Sequence, residues 1–310
     1  MQPPQFPPHH PQYQPGRAIL CRCLATVMFT LMWTLSKITS EAGVNTVEIV
    51  FYRSLFAAPV VLLWTLLGPG LHSIRTYRPL AHLQRTGIGV ISMFLTFYAI
   101  TLLPLAEAST LSFSAPIFST LISAMLLGER IGVWRITAVI FGFLGVLVVM
   151  LPSFNGHHLP LDGLIAGVLS AIGIAMVTVT VRQISDTESA TAIVFWFTIG
   201  SFLIFAMLMP WFGQAHDWRI IGLLAAMGAI GAIGQLLMTA ALRFAPVAVV
   251  VPFDYTQMLW ATLVGFLLWH SIPPSSTWLG SALIITAGLV TIYREHRHRI
   301  TRQATPTATG

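Results

Sequence analysis

The chain has 310 residues, of which 55% are hydrophobic and 8% are charged, and its net charge is +6. Soluble proteins contain about 25% charged residues, so this composition excludes a soluble protein and predicts one integral membrane domain. The positive charge does not indicate nucleic-acid binding, because the cations gather on one side of the membrane once the apolar segments are threaded through it.

The chain opens with residues 1–16, a Pro- and Gln-rich stretch that lacks the charged start and the cleavage site of a signal peptide. We interpret it as a disordered cytoplasmic tail. Ten apolar segments follow, and each must be helical because lipid offers the backbone no hydrogen-bond partner. The longest connection runs from about residue 68 to residue 86. The predicted segments are 18–37, 46–67, 87–103, 105–127, 135–151, 161–181, 191–212, 219–241, 246–269 and 277–293.

The second five segments repeat the first five. Residues 48–53 (Glu-Ile-Val-Phe-Tyr-Arg) align with residues 192–197 (Ala-Ile-Val-Phe-Trp-Phe), and Phe113 aligns with Tyr255. A unit of five crossings is odd in number, so the second unit must be inverted relative to the first, as in many secondary transporters. The predicted fold is an all-α integral membrane protein of ten transmembrane helices, built as two inverted five-helix repeats around a central cavity. The predicted repeats are residues 17–151 and 152–293, and a basic cytoplasmic tail, 294–310, follows them.

The distribution of arginines predicts the orientation in the membrane. If the ten segments are threaded through the membrane with both termini on the same side, only Arg219 and Lys37, which lies at the end of a segment, fall on the opposite side. Cytoplasmic loops are rich in Arg and Lys, so we expect both termini in the cytoplasm and a multi-pass protein of the cell membrane, the inner membrane of a bacterium. The arginines assigned to the cytoplasmic side are Arg17, Arg22, Arg75, Arg78, Arg85, Arg130, Arg135, Arg182, Arg243, Arg294, Arg297, Arg299 and Arg302.

Two ionisable residues fall deep inside predicted segments, where a charge is costly and usually functional. Arg53 lies about 10 Å into the second segment, where it can bind an anionic group of a substrate, pair with a carboxylate, extend toward the membrane surface, or crosslink helices. Asp254 lies about 12 Å into the ninth segment. It can carry a coupling proton if it is isolated, act as a permanent anion if it pairs with Arg53, or hydrogen-bond to a neighbouring helix. The sequence leaves these alternatives open.

Aromatic and amide side chains complete the predicted site for a substrate or a coupling ion. Aromatic walls with a few polar groups suit an amphipathic organic solute, although each such side chain is also compatible with core packing. Glu107 follows Pro104 within one turn, where it favours a capping role. The histidines lie in tails, loops or segment ends, and Cys21 and Cys23 form a lone pair, so we expect no metal and no cofactor. The predicted site residues are Arg53, Asp254, Tyr52, Tyr255, Gln235, Tyr98, Trp260 and Trp33.

Several motifs resemble the EamA-type repeat of the drug/metabolite transporter superfamily. In the first half they include residues 103–109 (Leu-Pro-Leu-Ala-Glu-Ala-Ser) and 127–131 (Leu-Gly-Glu-Arg-Ile), and in the second half residues 252–256 (Pro-Phe-Asp-Tyr-Thr). The resemblance covers about residues 18–295. It implies ten helices in two inverted repeats, with a cavity lined mainly by helices 1, 3, 4, 6, 8 and 9. One departure concerns residues 268–270, Leu-Trp-His, where the second copy of the family commonly carries a Glu.

The expected function is that of a secondary active transporter, which moves a small organic metabolite across the membrane by alternating access. Amino acids, cofactors, vitamins and drug-like solutes are the candidate substrates, and the proton is a candidate coupling ion. We expect a monomer or a homodimer in the lipid bilayer. An intramembrane lipid-modifying enzyme is the alternative, although the sequence lacks paired acids, an H-E-x-x-H motif and a Ser/His pair within its segments. A receptor would usually carry a soluble output domain, and the short connections predicted here leave no room for one.

Overall fold

The computed structural model describes residues 14–127, 133–154, 159–184, 187–244 and 250–304, and the regular elements in these ranges are helical. Most of the predicted tail 1–16 lies outside the described residues. The helices are α1 (Pro15–Glu41), α2 (Thr46–Leu67), α3 (Pro79–Leu102), α4 (Leu105–Ser112), α5 (Ala115–Leu127), α6 (Val133–Phe154), α7 (Leu161–Ile184), α8 (Ala190–Phe212), α9 (Trp218–Phe244), α10 (Thr256–Trp269) and α11 (Ser275–Ala304), with 3-10 turns at Leu71–Ile74 and Val251–Tyr255.

Six of the described helices are long and apolar enough to cross a membrane. These are α1, α2, α3 and α8 over their full lengths, α7 over Leu161–Val181 and α9 over Trp218–Ala241. Shorter apolar stretches occur at Val139–Leu151 in α6 and Ser275–Val290 in α11. The protein is therefore a helical, multi-pass membrane protein, as its composition predicts.

Two predicted segments are broken inside. Segment 105–127 contains α4 and α5, which are separated at Phe113 and Ser114. The break has a covalent cause, because Pro116 has no N–H to donate to the carbonyl of Ser112. Segment 246–269 contains a 3-10 turn that ends at Tyr255, followed by α10.

Two helix boundaries also differ from the sequence-based expectation. Helix α3 begins at Pro79, eight residues before the predicted start at residue 87. Proline is well suited to the first turn of a helix, because its missing N–H is not needed there. Helix α11 continues to Ala304 and includes part of the stretch that the sequence assigned to a basic tail.

Helices α2 and α8 are antiparallel, and polar contacts join them at both ends. At one end the Asn45 side chain, which caps α2, donates a 2.8 Å hydrogen bond to the carbonyl of Phe212 at the end of α8. At the other end the Ser189 hydroxyl, which caps α8, donates a 2.5 Å hydrogen bond to the carbonyl of Ser73. The two contacts lie at opposite ends of the helix pair and fix its direction.

The most extensive helix pairings are α1 with α9, α3 with α7 and α6 with α11. Helices α6 and α11 approach each other at two glycines, since a Cβ added at Gly280 would lie 2.6 Å from the carbonyl oxygen of Gly145. The main apolar core lies between the helices and includes Ile49, Ile100, Leu224 and Ile284, all 1% exposed or less. This packing holds the buried charges described next.

Candidate functional site

Arg53 projects from α2 towards α3. Its Nη1 atom donates a 2.8 Å hydrogen bond to the sulfur of Met93, and its guanidinium carbon lies 5.8 Å from the centre of the Phe97 ring. Its Nε atom is buried and has no hydrogen-bond partner among the described residues. A thioether and an aromatic face neutralise no charge, so the Arg53 guanidinium lacks a counter-ion in the described part of the chain.

Arg85, on α3 itself, is a second buried cation. It is 7% exposed, and its guanidinium carbon lies 3.9 Å from the centre of the Phe197 ring. Its Nε and Nη1 atoms are buried and without hydrogen-bond partners among the described residues. The guanidinium groups of Arg53 and Arg85 are close enough to interact electrostatically. Arg85 falls within the connection 68–86 predicted from the sequence, so its burial was not predicted.

Asp254 pairs with Arg22 rather than with Arg53. The Nε and Nη2 atoms of Arg22, in the second turn of α1, donate to the two carboxylate oxygens of Asp254. The Arg22 side chain is 5% exposed and that of Asp254 is 31% exposed. Beside the pair, the hydroxyl groups of Thr26 and Thr256 are 3.0 Å apart. The pair therefore joins α1 to the broken helix, and it satisfies the carboxylate that the sequence analysis considered as a coupling group.

Tyr255 follows Asp254 and lies at the break in the second half. Its ring packs edge-on against the ring of Phe113, at the break in the first half, with centroids 5.2 Å apart. The Tyr255 hydroxyl is buried without a hydrogen-bond partner in the described ranges, and it lies against Gly288 of α11. The two breaks are thus in direct contact.

The remaining predicted site residues are spread over the helices. Tyr52 stacks on Phe56 within α2, at 6.1 Å between centroids. The Tyr98 hydroxyl donates a 3.2 Å hydrogen bond to Asp162. Trp33 is 8% exposed in the core, Trp260 is 37% exposed, and Gln235 is half-buried in α9.

A cavity of about 260 Å³ opens between α1, α4, α10 and the connection that precedes α7. Its polar wall includes Lys37, whose Nζ atom donates a 2.8 Å hydrogen bond to the carbonyl of Leu103. Trp269 contributes an aromatic wall and donates from Nε1 to Glu41 at 2.8 Å. None of the eight predicted site residues lines this cavity.

Two buried glutamates bind connections between helices. Glu48, at the start of α2, accepts from the backbone N–H of Gln214 at 2.7 Å and lies 2.9 Å from His216. Glu188, just before α8, accepts from the backbone N–H of Tyr77 at 2.8 Å and lies 3.3 Å from His82. Burial raises the pKa of Glu188, but these contacts outweigh it, and the pKa falls below its ordinary value. Both carboxylates serve as structural anchors.

The described residues contain no group of three His, Cys, Asp or Glu side chains that could hold a metal ion. Cys21 and Cys23 are free thiols, half-buried in α1.

Comparison with known protein families places these features in context. The model of the EamA-like transporter family matches the chain twice, over residues 16–151 and over residues 161–293. The chain belongs to the EamA-like transporter family.

Individual relatives of this EamA-like protein are similar along most of their length. The pseudopaline exporter CntI of Pseudomonas aeruginosa (strain UCBPP-PA14) is 33% identical over 276 residues, which cover 87% of this chain and 93% of the relative. An uncharacterized transporter of Helicobacter pylori (strain J99) is 28% identical over 282 residues, or 86% of this chain and 91% of the relative. An S-adenosylmethionine uptake transporter of Rickettsia felis is 24% identical over 250 residues, or 81% and 84%.

A solved crystal structure shares the fold of this EamA-like protein. The two superpose with a TM-score of 0.61 at 19% sequence identity, over 91% of this chain and 99% of the other.

Two charged residues of this EamA-like protein, Arg53 and Asp254, were predicted from the sequence, but the residues that they contact were not. Arg53 and Asp254 are separate, because Asp254 is bound to Arg22 and Arg53 faces Met93. A signal for Arg85 was present, since Pro79 marks a helix start six residues earlier. Nothing in the sequence pointed to the Arg22–Asp254 pair, whose partners are 232 residues apart.

Proposed function

We propose that this EamA-like protein is a secondary active transporter that moves a small organic metabolite across the cell membrane by alternating access. The observation that carries this proposal is the double match of one transporter family, once in each half of the chain. Relatives named as an exporter of pseudopaline and as an uptake transporter of S-adenosylmethionine support a small-molecule substrate. Because these relatives carry solutes in opposite directions, the proposal covers both export and import.

The pairing of helices supports two inverted repeats, residues 17–151 and 152–293. We count α4 with α5 as one crossing, and the turn Val251–Tyr255 with α10 as another, which gives ten crossings. Exchanging the halves then turns the α1–α9 pairing into the α7–α3 pairing, and both are extensive. The contact of Phe113 with its repeat counterpart Tyr255 agrees with a twofold axis between the halves. Such repeats carry substrates at the interface between their halves.

The orientation that we propose has both termini in the cytoplasm. An even number of crossings returns the chain to its starting side, and the cytoplasmic excess of arginines supports that side. All named relatives are bacterial proteins, which supports the bacterial inner membrane as the location.

The proposed substrate and coupling site includes Arg53 and Asp254. Arg53 supplies a positive charge without a counter-ion in the described chain. Asp254 lies at a helix break, and discontinuous helices commonly form the ion and substrate sites of transporters. The aromatic side chains of Tyr52, Tyr255 and Trp260 are candidates for solute contact when the halves separate. An enzymatic role has no support in the names of the relatives, which are transporters.

The test is a comparison of metabolites inside and outside cells that express the wild-type protein or an empty vector. A solute whose distribution changes is then measured in proteoliposomes, with and without a proton gradient. We expect Asp254→Asn and Arg53→Ala to reduce flux at least tenfold while the protein still inserts. Arg17→Ala, an exposed cation of α1, is the matched control. The absence of protein-dependent flux for every candidate solute would contradict the proposal.

A further inference from the structure

Three arginines of the described helices each have at least one buried guanidinium nitrogen, and they differ in charge balance. Arg22 has a counter-ion in Asp254. Arg53 and Arg85 have none in the described part of the chain, and three of their guanidinium nitrogens are buried without a hydrogen-bond partner there. An unpaired cation in a membrane interior is costly, and such residues mark functional sites.

The buried carboxylates of the described helices and connections are committed to other groups. Glu48 accepts from the backbone of Gln214, and Glu188 accepts from the backbone of Tyr77. Glu107 accepts a 3.1 Å hydrogen bond from the hydroxyl of Thr277. None of these carboxylates is in contact with Arg53 or Arg85, so the described residues supply no counter-ion for the two cations.

The spacing of the two cations follows from the geometry of α3. The Nη1 atom of Arg85 lies beside Gly89, 3.3 Å from the position of an added Cβ, whereas the Nη1 atom of Arg53 contacts Met93. Gly89 and Met93 are four residues apart on one helix face, which separates them by about 6 Å along the axis. The two guanidinium groups therefore lie against one stripe of α3, formed by Gly89 and Met93, at a spacing that one anionic group or two neighbouring ones can bridge.

The surroundings of the stripe strengthen its attraction for an anion. The faces of Phe97 and Phe197 lie against the two guanidinium carbons, at 5.8 Å and 3.9 Å from the ring centres. Apolar groups such as these rings and Met93 lower the local dielectric constant, which strengthens a charge interaction. Guanidinium groups bind carboxylates and phosphates through two parallel hydrogen bonds, and the free nitrogens of both arginines are suited to that geometry.

We propose that Arg53 and Arg85 together bind an anionic oxygen group, a carboxylate or a phosphate, of the transported solute. This inference rests on the proposed function and specifies its substrate class: an organic anion whose apolar part contacts Met93, Phe97 and Phe197. The anion provides the missing counter-ion while it is bound, and the separation of the halves gives it access to the stripe.

The test measures binding without transport. The purified full-length protein in detergent is heated with acetate, glutarate, citrate or inorganic phosphate, with sodium chloride at equal ionic strength as the reference. We expect at least one anion to raise the Tm of the wild-type protein. Stabilisation by glutarate or citrate would indicate that the site binds a carboxylate, and stabilisation by phosphate would indicate that it binds a phosphate. Arg53→Met and Arg85→Met are each expected to weaken the apparent affinity about tenfold or more, the loss typical of a hydrogen bond between charged groups.

Two comparisons separate binding from a structural role. Arg219→Met, an exposed cation, is the matched control and should retain wild-type affinity. In chloride alone, Arg85→Met should keep or raise the Tm, because it removes a buried charge without a partner. A lower Tm of this variant in every salt assigns Arg85 a structural role and overturns the proposal. The proposal is also overturned if no anion raises the Tm, if the shift persists in both variants, or if only anionic lipid produces it.

Flux measurements distinguish this inference from the proposed function. If an anion stabilises the protein through Arg53 and Arg85 but no solute crosses proteoliposomes, the anion site stands and the transport proposal fails. If a solute crosses at the wild-type rate in both arginine variants, the transport proposal stands and the anion site fails.

Discussion

The ring of Phe113 meets the ring of Tyr255 edge-on, with planes inclined at 75°. The two residues align in the sequence repeat; Phe113 lies between α4 and α5, and Tyr255 lies where the 3-10 turn passes into α10. In the inverted-repeat arrangement that we propose, two counterparts in contact lie beside the axis that relates the halves.

Tyr255 and Gly288 are expected to be coupled in stability. The Tyr255 hydroxyl lies so close to Gly288 that an added methyl group would clash with it. Gly288→Ala should therefore lower the free energy of unfolding by about 1–3 kcal/mol, the usual cost of overpacking. Tyr255→Phe should be neutral or slightly stabilising, because the hydroxyl is buried without a partner in the described residues. The double variant should recover part of the loss in a thermal melt, and additive effects would contradict the coupling.

The Arg22–Asp254 pair is expected to behave as one unit. Arg22→Met leaves a carboxylate without its partner, and Asp254→Asn leaves a cation that is 5% exposed without its counter-ion. Breaking a buried pair costs about 3–5 kcal/mol, and the partial exposure of Asp254 reduces this to about 2–3 kcal/mol. The double variant Arg22→Met/Asp254→Asn should be more stable than either single variant, as a double-mutant cycle of melting curves would measure. Arg17→Met, an exposed change in the first turn of α1, should have almost no effect.

The contacts of Glu188 lead us to expect that the protein loses stability in acid. Its pKa is lowered on folding from the ordinary value of 4.5, although burial alone would raise it. A carboxyl whose pKa is lower in the folded state stabilises the protein above the unfolded value, and the stabilisation disappears as the pH falls through the folded value. Glu188→Gln should therefore lower the Tm at pH 7 and should flatten the decline of the Tm below pH 5. An unchanged Tm profile would show that the contacts to Tyr77 and His82 contribute nothing.

The control for this experiment is Asp217→Asn. Asp217 is exposed just before α9, and Asn is as good a capping residue as Asp, so the variant should alter the Tm at pH 7 only slightly.

The long apolar helices could be predicted because their length and composition alone define them. Runs such as residues 46–67 match α2 to the residue, since Asn45 and Glu48 give a capping box at the start and Gly68 follows at the end. The break at Phe113 was not predicted, because segment 105–127 is apolar on both sides of it. Pro116 is the signal that could have revealed the break.

The site was harder to predict because it depends on contacts between distant helices. The polar first turns of α3, which contain His82 and Arg85, were interpreted as an aqueous connection. In the structure both side chains are buried, His82 at 4% and Arg85 at 7% exposure. Helix α8 packs over both side chains, and no local sequence pattern predicts this contact between distant helices.

The contact between α6 and α11 depends on backbone proximity at Gly145 and Gly280. A Cβ added at either residue would lie 2.6–2.8 Å from the carbonyl oxygen of the other, and a backbone atom cannot move aside as a flexible side chain can. Gly145→Ala and Gly280→Ala should each separate the helices and lower the free energy of unfolding by about 1–3 kcal/mol. Gly222→Ala is the matched control, because no atom lies within 4 Å of its added Cβ.

In that exposed position of α9, alanine should stabilise the helix by up to about 1 kcal/mol through its higher helix propensity. The three variants thus make the same chemical change with opposite expected signs, which thermal melting in one detergent can compare directly. If Gly145→Ala and Gly280→Ala melt at or above the wild-type temperature, the helices do not depend on close approach. In that case the packing of α6 on α11 must be ascribed to neighbouring side chains such as Val149 and Ile284.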